Sequence, residues 1–418
     1  MKTILLNDIY YALKHIATQF ALVAYLVIGF FTGFKFHLNV GDGIAANAAY
    51  SVGFMTGLLS LIIILIATLL AFSGLFKERD ANFDLIVFTT PIKKRDFAIA
   101  RFLSFFLLTT FSFFILMLGY IIGLYVQTDS EMLSEFHLWH YVYPFLIFGV
   151  VNSLLVCSVL FFFAKKFRNK LLVAIAGLML YITYMIVLMF SNAPFMAQSL
   201  PQSLLAQKIS AITDIFGLSP YFYNAKDFNV FQRNHNTVAL SNFLLINRVG
   251  VVLLSLIGVK LAIGSFSFLP NFKQKSYKKE HKQTSKKRKQ LEVPFTKVDT
   301  FFTSKTKQGA LSSFIKIDLI YLFKSIPLIS VATLLLFYVG VEMYGDIDMG
   351  IRLPQQYASS GLLAKTINET FYFIGALVVV YFTNDVFWRA NASGFSIIQN
   401  TTYYAKERLV GHGISMIL

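Results

Sequence analysis

Eight stretches of this chain are long and apolar enough to cross a lipid bilayer, and that feature decides most of what the chain can fold into. They cover residues 18–33, 49–73, 101–125, 142–163, 171–190, 249–269, 326–344 and 368–386, and a ninth begins at Leu409. A helix needs roughly 20 apolar residues to cross a hydrocarbon core about 30 Å thick. Inside that core every backbone polar group has to bond within its own helix, so the sequence predicts an all-α, polytopic membrane protein. Composition agrees: 56% of the residues are hydrophobic and 14% charged, against about 45–50% and about 25% in soluble domains. A soluble enzyme, a disordered tail and a small secreted domain are all excluded. The single cysteine, Cys157, lies in an apolar run and reads as a small hydrophobe.

A net charge of +16 would suit a nucleic-acid binder, but in a membrane protein it first reports topology. Of the 37 Lys and Arg residues, 29 fall on one side of the alternation: in the N-terminal segment, in the connections at 74–100, 164–170, 270–310 and 387–408, and at Arg101, Lys316 and Lys324 beside them. The alternate connections at 34–48, 126–141, 191–248 and 345–367 hold few. By the positive-inside rule the first set is cytoplasmic, which places the N-terminus inside. The first apolar run is not a cleaved signal, because Asn7, Asp8, Lys14 and His15 precede it and no small-residue cleavage site follows.

Leu5, Ile9, Leu13 and Ile16 share one helical face and Asn7, Asp8, Lys14 and His15 another, the pattern of a helix lying on the inner membrane surface; the alternative is a plain extension of the first span. The pattern returns: Ile4 to Ile16 (ILLNDIYYALKHI) matches Phe314 to Ile326 (FIKIDLIYLFKSI), setting Asp8 on Asp318, Tyr11 on Tyr321 and Lys14 on Lys324 at a shift of 310 residues. Phe83 to Lys94 matches Phe395 to Lys406 at a shift of 312. Two segments with nearly one shift indicate a tandem repeat, as in many transporters. The expected organisation is a first copy over 1–270, with a surface helix and six spans; a basic cytoplasmic linker over 271–310; and an incomplete second copy over 311–418, with a surface helix, two full spans and the start of a third. By analogy with the first copy, the chain is expected to be a fragment of a longer one.

The inner loop Gly74 to Arg101 (GLFKERDANFDLIVFTTPIKKRDFAIAR) is the most informative segment. Charges of both signs (Lys77, Glu78, Arg79, Asp80) precede an apolar patch containing Phe83, then Thr90-Pro91 as a helix-start signal, then Lys93, Lys94 and Arg95. A short amphipathic helix with charged flanks is a docking knob for a cytosolic partner; an ordinary positive-inside connector would explain the lysines but not the acidic pair. The order Glu-Arg-Asp, apolar patch, Thr-Thr-Pro-Ile, basic pair and Arg at the next span resembles the coupling loop of ABC type-2 transporter permeases. That resemblance implies a six-span exporter-type unit in a bacterial inner membrane. Its docking loop would engage a separate ABC ATPase through Glu78, Arg79, Asp80, Phe83, Pro91, Lys94, Arg95 and Arg101. The second copy would use Arg389, Phe395, Lys406 and Arg408, although Arg389-Ala390-Asn391 replaces the acidic pair and Tyr403 stands for Pro91.

The segments Asp214-Ile215-Phe216-Gly217, Arg233-Asn234-His235-Asn236-Thr237 and Asn247-Arg248 resemble two-half bacterial permeases, some of which carry a fused C-terminal zinc aminopeptidase-like domain. The chain has no G-x-x-x-x-G-K-[ST] and no H-E-x-x-H. No catalytic, cofactor or metal site is therefore expected in it, and ATP with Mg would be held by the partner ATPase. His137 and His140 beside Trp139 read as interfacial residues. Leu204 to Phe216 is an amphipathic stretch of the outer surface that could cap a substrate exit. The linker segment 272–307 is rich in lysine; it reads either as a contact for anionic inner-leaflet lipid or as an orientation-setting connector, and from Lys278 to Gln290 it lacks the interleaved aromatics of a nucleic-acid site. The function expected is transport, not enzymatic catalysis: a permease of unknown substrate. A membrane anchor for a peptidase-like domain and an ion-coupled carrier are the alternatives.

Overall fold

Helix follows helix along the chain because its residues are apolar over lengths that leave the backbone no other way to bond. In the computed structural model the described residues are 2–35, 43–80, 92–126, 133–189, 203–266, 304–347, 356–392, 395, 396, 399 and 404–417, and among them no strand occurs. Five helices are long and apolar enough to cross a membrane: Ile16–Lys35, Ala49–Gly74, Lys94–Val126, Trp139–Phe167 and Asn242–Ser265. They stand where five of the eight apolar stretches predicted them. The stretch expected at 171–190 is the helix Lys170–Met189, whose apolar part Leu172–Tyr184 is shorter.

By contacts the chain falls into two units, residues 1–269 with 333–363 and residues 270–332 with 364–418. In the first, α1 (Lys2–Lys14) is followed by α2 (Ile16–Lys35), then by α3 (Ala49–Leu59) and α4 (Ile62–Gly74), which a turn at Ser60-Leu61 separates. The short turn α5 (Lys77–Asp80) leads towards the long α6 (Lys94–Val126). The close packing of α2 on α6 comes from two glycine pairs. A Cβ on Gly29 or Gly33 would strike the backbone carbonyls of Leu116 and Tyr120, and one on Gly119 or Gly123 those of Leu26 and Phe30. Small residues four apart on both helices let the backbones touch.

Helix α7 (Trp139–Pro144) continues through a π-helical turn, Phe145–Val150, into α8 (Val151–Phe167). The turn starts next to Pro144, which has no N–H for the helical ladder and whose ring crowds the preceding turn. Arg168, in the left-handed region at φ 54°, closes α8, and α9 (Lys170–Met189) follows. The segment 203–235 forms α10 (Leu204–Thr213), capped by Ser203; α11 (Leu218–Ala225); and α12 (Val230–His235), held by an Asn229–Gln232 capping box. On α10 the side chains of Leu204, Leu205, Ile209 and Ile212 are exposed, an apolar face suited to lipid. The last helix of this series is α13 (Asn242–Ser265). The core joins Phe54, Ile63, Ile66, Phe113, Leu116, Val156, Leu160 and Phe161, with the buried Cys157 among them.

The later part holds α14 (Ser304–Phe323), α15 (Ile326–Ile347), α16 (Ser360–Thr366) with a π turn Ile367–Phe371, α17 (Tyr372–Ala392) and α18 (Ala405–Ile417). Helix α14 starts at Ser304, inside the segment expected to be linker, and α18 packs on it. The part of the basic linker within 267–303 lies outside the described residues.

Candidate functional site

Asp8 is where sequence and structure differ most usefully. Helical spacing sets it on the polar face of α1, yet it is the buried residue of that helix, while Leu6, Tyr10 and Tyr11 are exposed. A carboxylate leaves water only if cations meet it. Two do: Arg101 Nη1 at 2.6 Å and Lys77 Nζ at 2.7 Å, both to Oδ1. The Ser104 hydroxyl donates to Oδ2 at 3.4 Å. Arg101 also pairs, through Nη2, with Glu78.

The geometry is a latch. One guanidinium on α6 grips a carboxylate of α1 and a carboxylate of the loop after α4. Arg101 and Asp8 are both about nine-tenths buried, so the grip is shielded from solvent. Helix α6 begins at Lys94, which sets Arg101 two turns inside it instead of at its entrance. Lys94 and Arg95, ahead of it, are exposed. Among the other expected docking residues, Arg79 and Asp80 belong to the helical turn α5, and their side chains lie outside the described residues, as do Phe83 and Pro91 altogether.

The arrangement occurs twice. Asp318 on α14 is 1% exposed; Arg389 Nη2 meets its Oδ1 at 3.0 Å, His412 Nδ1 meets its Oδ2 at 2.5 Å, and the Ser415 hydroxyl donates to Oδ2 at 3.2 Å. Asp318, Arg389, His412 and Ser415 follow Asp8, Lys77, Arg101 and Ser104 at shifts of 310 to 312 residues. Both clusters therefore consist of an aspartate on the first helix, α1 or α14, a cation from the turn α5 or the end of α17, and a cation-serine pair three residues apart on α6 or α18. Tyr321, matched with Tyr11, donates to Asp385 at 2.7 Å, and Arg389 lies over its ring at 4.5 Å. Burial and this hydrogen bond push the Tyr321 phenol up to about 12, which keeps it a donor. Of the remaining second-copy residues, Phe395 and Lys406 are exposed and Arg408 is half-buried.

A second polar knot ties the segment carrying α10 and α11 to α8 and α13. Asp214 accepts from the backbone N–H of Phe216, Gly217 and Ser219 at 2.7–2.9 Å and so starts α11. Gly217, at φ 86°, takes a left-handed conformation there, and the Arg248 guanidinium occupies the space a Cβ would need. Buried Arg248 donates to Asn152 Oδ1 at 2.9 Å, Asn247 Oδ1 at 2.5 Å and Ile215 O at 3.3 Å, and Asn152 donates on to Ser60 Oγ and Phe216 O. Ser60 and Lys77 flank opposite ends of α4, so the knot and the latch are joined by one helix.

His137 and His140 lie with ring centroids 5.1 Å apart, and no group of three or more potential metal ligands occurs among the described residues. Sequence reasoning passed over Lys77, Ser104, His412 and Ser415 as partners. The signal was present, since shifts within two residues of the one that aligns Asp8 with Asp318 also align the other three pairs. No protein-family profile matches the chain, and no curated protein and no solved structure is found similar to it.

Proposed function

We propose that this chain is the membrane-spanning part of an ATP-driven transporter of the ABC type-2 kind, moving a substrate outward across a bacterial inner membrane with its N-terminus in the cytoplasm. ATP and Mg act on a separate ATPase chain that docks on the inner loops. The observation that carries this reading is the latch and its repetition. A transporter driven by a partner needs its docking loop wired to its spans, since loop movement does no work if the loop merely hangs from them. Glu78 and Lys77 belong to the loop that resembles a coupling loop, and both are ion-paired to the cluster joining the surface helix and α6. Pulling on the loop therefore moves α1 and α6 together, and the glycine contacts of α6 carry α2 with them. Rocking of two such halves about a pathway between them is alternating access.

The multi-pass character rests on five apolar helices. The reading of the chain as two copies rests on the shared shift of the two carboxylate clusters. The test is co-purification: the chain, tagged and extracted from its own cells, is expected to bring down an ATPase whose turnover changes at least several-fold when the two are reconstituted together. A chain that isolates without any nucleotide-hydrolysing partner, or whose partner turns over identically without it, overturns the reading.

A further inference from the structure

Lys165, in the last turn of α8, is 8% exposed. Its Nζ rests 5.4 Å from the Phe161 ring centroid and 5.2 Å from that of Phe266, and among the described residues it has no hydrogen-bond or ion-pair partner. The charges that act on it are Arg101, Arg168 and Asp8, two of them of its own sign. Arg101 shares its surroundings. Its guanidinium lies 5.1 Å from the Phe97 ring, and Phe97 stacks on Phe266 at 5.8 Å. Both terminal nitrogens of Arg101 are used by Asp8 and Glu78, but its Nε is buried without a partner.

Within one aromatic box a buried N–H of Arg101 is thus unsatisfied, and the ammonium of Lys165 meets only ring faces among the described residues. The described charges around the box are Lys77, Arg101 and Lys165 against Asp8 and Glu78, which leaves a positive excess even before Arg168 is counted. Ring faces attract a cation only weakly compared with the hydration it gives up on burial. The group that would satisfy an ammonium and a guanidinium N–H together is an oxyanion. The box lies at the end of α8 that carries Lys165 and Lys166, beside the start of α6, where a span meets the headgroup layer.

We propose that Lys165 and the Nε–H of Arg101 form a binding site for a phosphate-bearing anion, walled by Phe97, Phe161 and Phe266. Its occupant neutralises the excess charge beside the latch. The anion belongs either to an anionic phospholipid headgroup or to a soluble phosphate. The proposal does not depend on the transport reading, because it rests on the buried N–H of Arg101 and the ammonium of Lys165 alone.

The test uses the full chain in two arms. In the first, protein from bilayers of phosphatidylglycerol and phosphatidylcholine is released into native mass spectrometry. Wild type is expected to retain one phosphatidylglycerol in preference to phosphatidylcholine. Lys165→Met should lower that occupancy at least tenfold, Lys165→Arg should keep it, and Lys166→Met, a neighbouring exposed lysine, should leave it unchanged. In the second arm, delipidated protein is titrated with inorganic phosphate while its unfolding temperature is followed. A phosphate-dependent rise in wild type that Lys165→Met abolishes identifies a soluble occupant, and retained phosphatidylglycerol with no phosphate response identifies the headgroup. Equal behaviour of wild type and Lys165→Met in both arms overturns the site. Should Lys165→Met fail to fold, wild type alone decides: absence of both headgroup preference and phosphate response overturns it.

Discussion

The two carboxylate clusters each set an aspartate, two basic residues and a serine at shifts of 310 to 312 residues and yet are wired differently. In the first, Arg101 joins Asp8 to Glu78, so one guanidinium holds α1 and the loop at once. In the second, Ala390 stands at the position that corresponds to Glu78, His412 replaces Arg101, and Arg389 is 28% exposed where Arg101 is 8% exposed. A planar guanidinium can serve two carboxylates, and an imidazole holding Asp318 through Nδ1 cannot reproduce that fork. The second cluster fixes α14 to α17 and α18. The first does this and also carries the loop. The difference teaches that the two clusters do not hold the same elements, and each substitution below is chosen to break one cluster while the other serves as control.

Asp8→Asn should have the largest effect. It leaves Arg101 buried with half of its ionic partners and releases Lys77 to solvent; removing one member of a buried pair costs about 3–5 kcal/mol. Asp318→Asn should cost less, about 1–3 kcal/mol, because Arg389 can reach water. Denaturant unfolding of the detergent-solubilised chain measures both, and a second-cluster loss as large as the first would refute the asymmetry. Exchanging the cations comes next. Arg101→His makes the first cluster resemble the second and strands Glu78, at a cost of about 2–3 kcal/mol, whereas His412→Arg should change stability by no more than about 1 kcal/mol. Hydrogen exchange of α1 and α14 in the two variants locates the loosening.

Helix packing gives a smaller contrast. Gly29→Ala drives a methyl into the Leu116 carbonyl, and overpacking of this kind costs about 1–3 kcal/mol. Gly340, one residue from the position that a 310-residue shift assigns to Gly29, has no described atom in the way of a Cβ, so Gly340→Ala should be neutral or stabilising by up to about 1 kcal/mol. Equal losses in thermal unfolding would mean that α15 is packed as tightly as α2.

Which features could be read from the sequence follows from what each depends on. Apolar length is a local property, and five of the helices therefore appear where the apolar runs stand. The repeat was visible because identities such as Asp8 with Asp318 survive a fixed shift. Burial of Asp8 was not visible, since a helical face is called polar by its residues and becomes core only when distant cations, here Lys77 and Arg101, arrive to pair with it. The π turn after Pro144 and the break at Ser60-Leu61 were hidden for a related reason: both lie inside continuous apolar runs, where composition carries no punctuation. Helix starts were the least certain. Arg101 read as the residue at the mouth of a span, but α6 begins at Lys94 and buries it. Lys165 looked like one more inner lysine, and only its aromatic box sets it apart from exposed Lys166.

The smallest structural effect belongs to the charges that face away from the latch. Lys94 and Arg95 are exposed at the start of α6, and exposed positions of this kind change stability by no more than about 0.5 kcal/mol. Reversing both, Lys94→Glu with Arg95→Glu, should therefore leave unfolding unchanged. If the loop docks an ATPase, the same double variant should lower its recovery at least several-fold, with the loss increasing at higher salt, because exposed charges act through a screened field. Lys406→Glu, at the corresponding place in the second copy, is the comparison. The second loop lacks the acidic pair and the guanidinium fork that would make it a rigid lever, so its reversal should weaken recovery less. A double variant that keeps its partner would separate latch from docking, leaving Asp8, Glu78 and Arg101 as structural bracing alone. Equal losses from both copies would instead show that docking depends on surface charge and not on the wiring behind it.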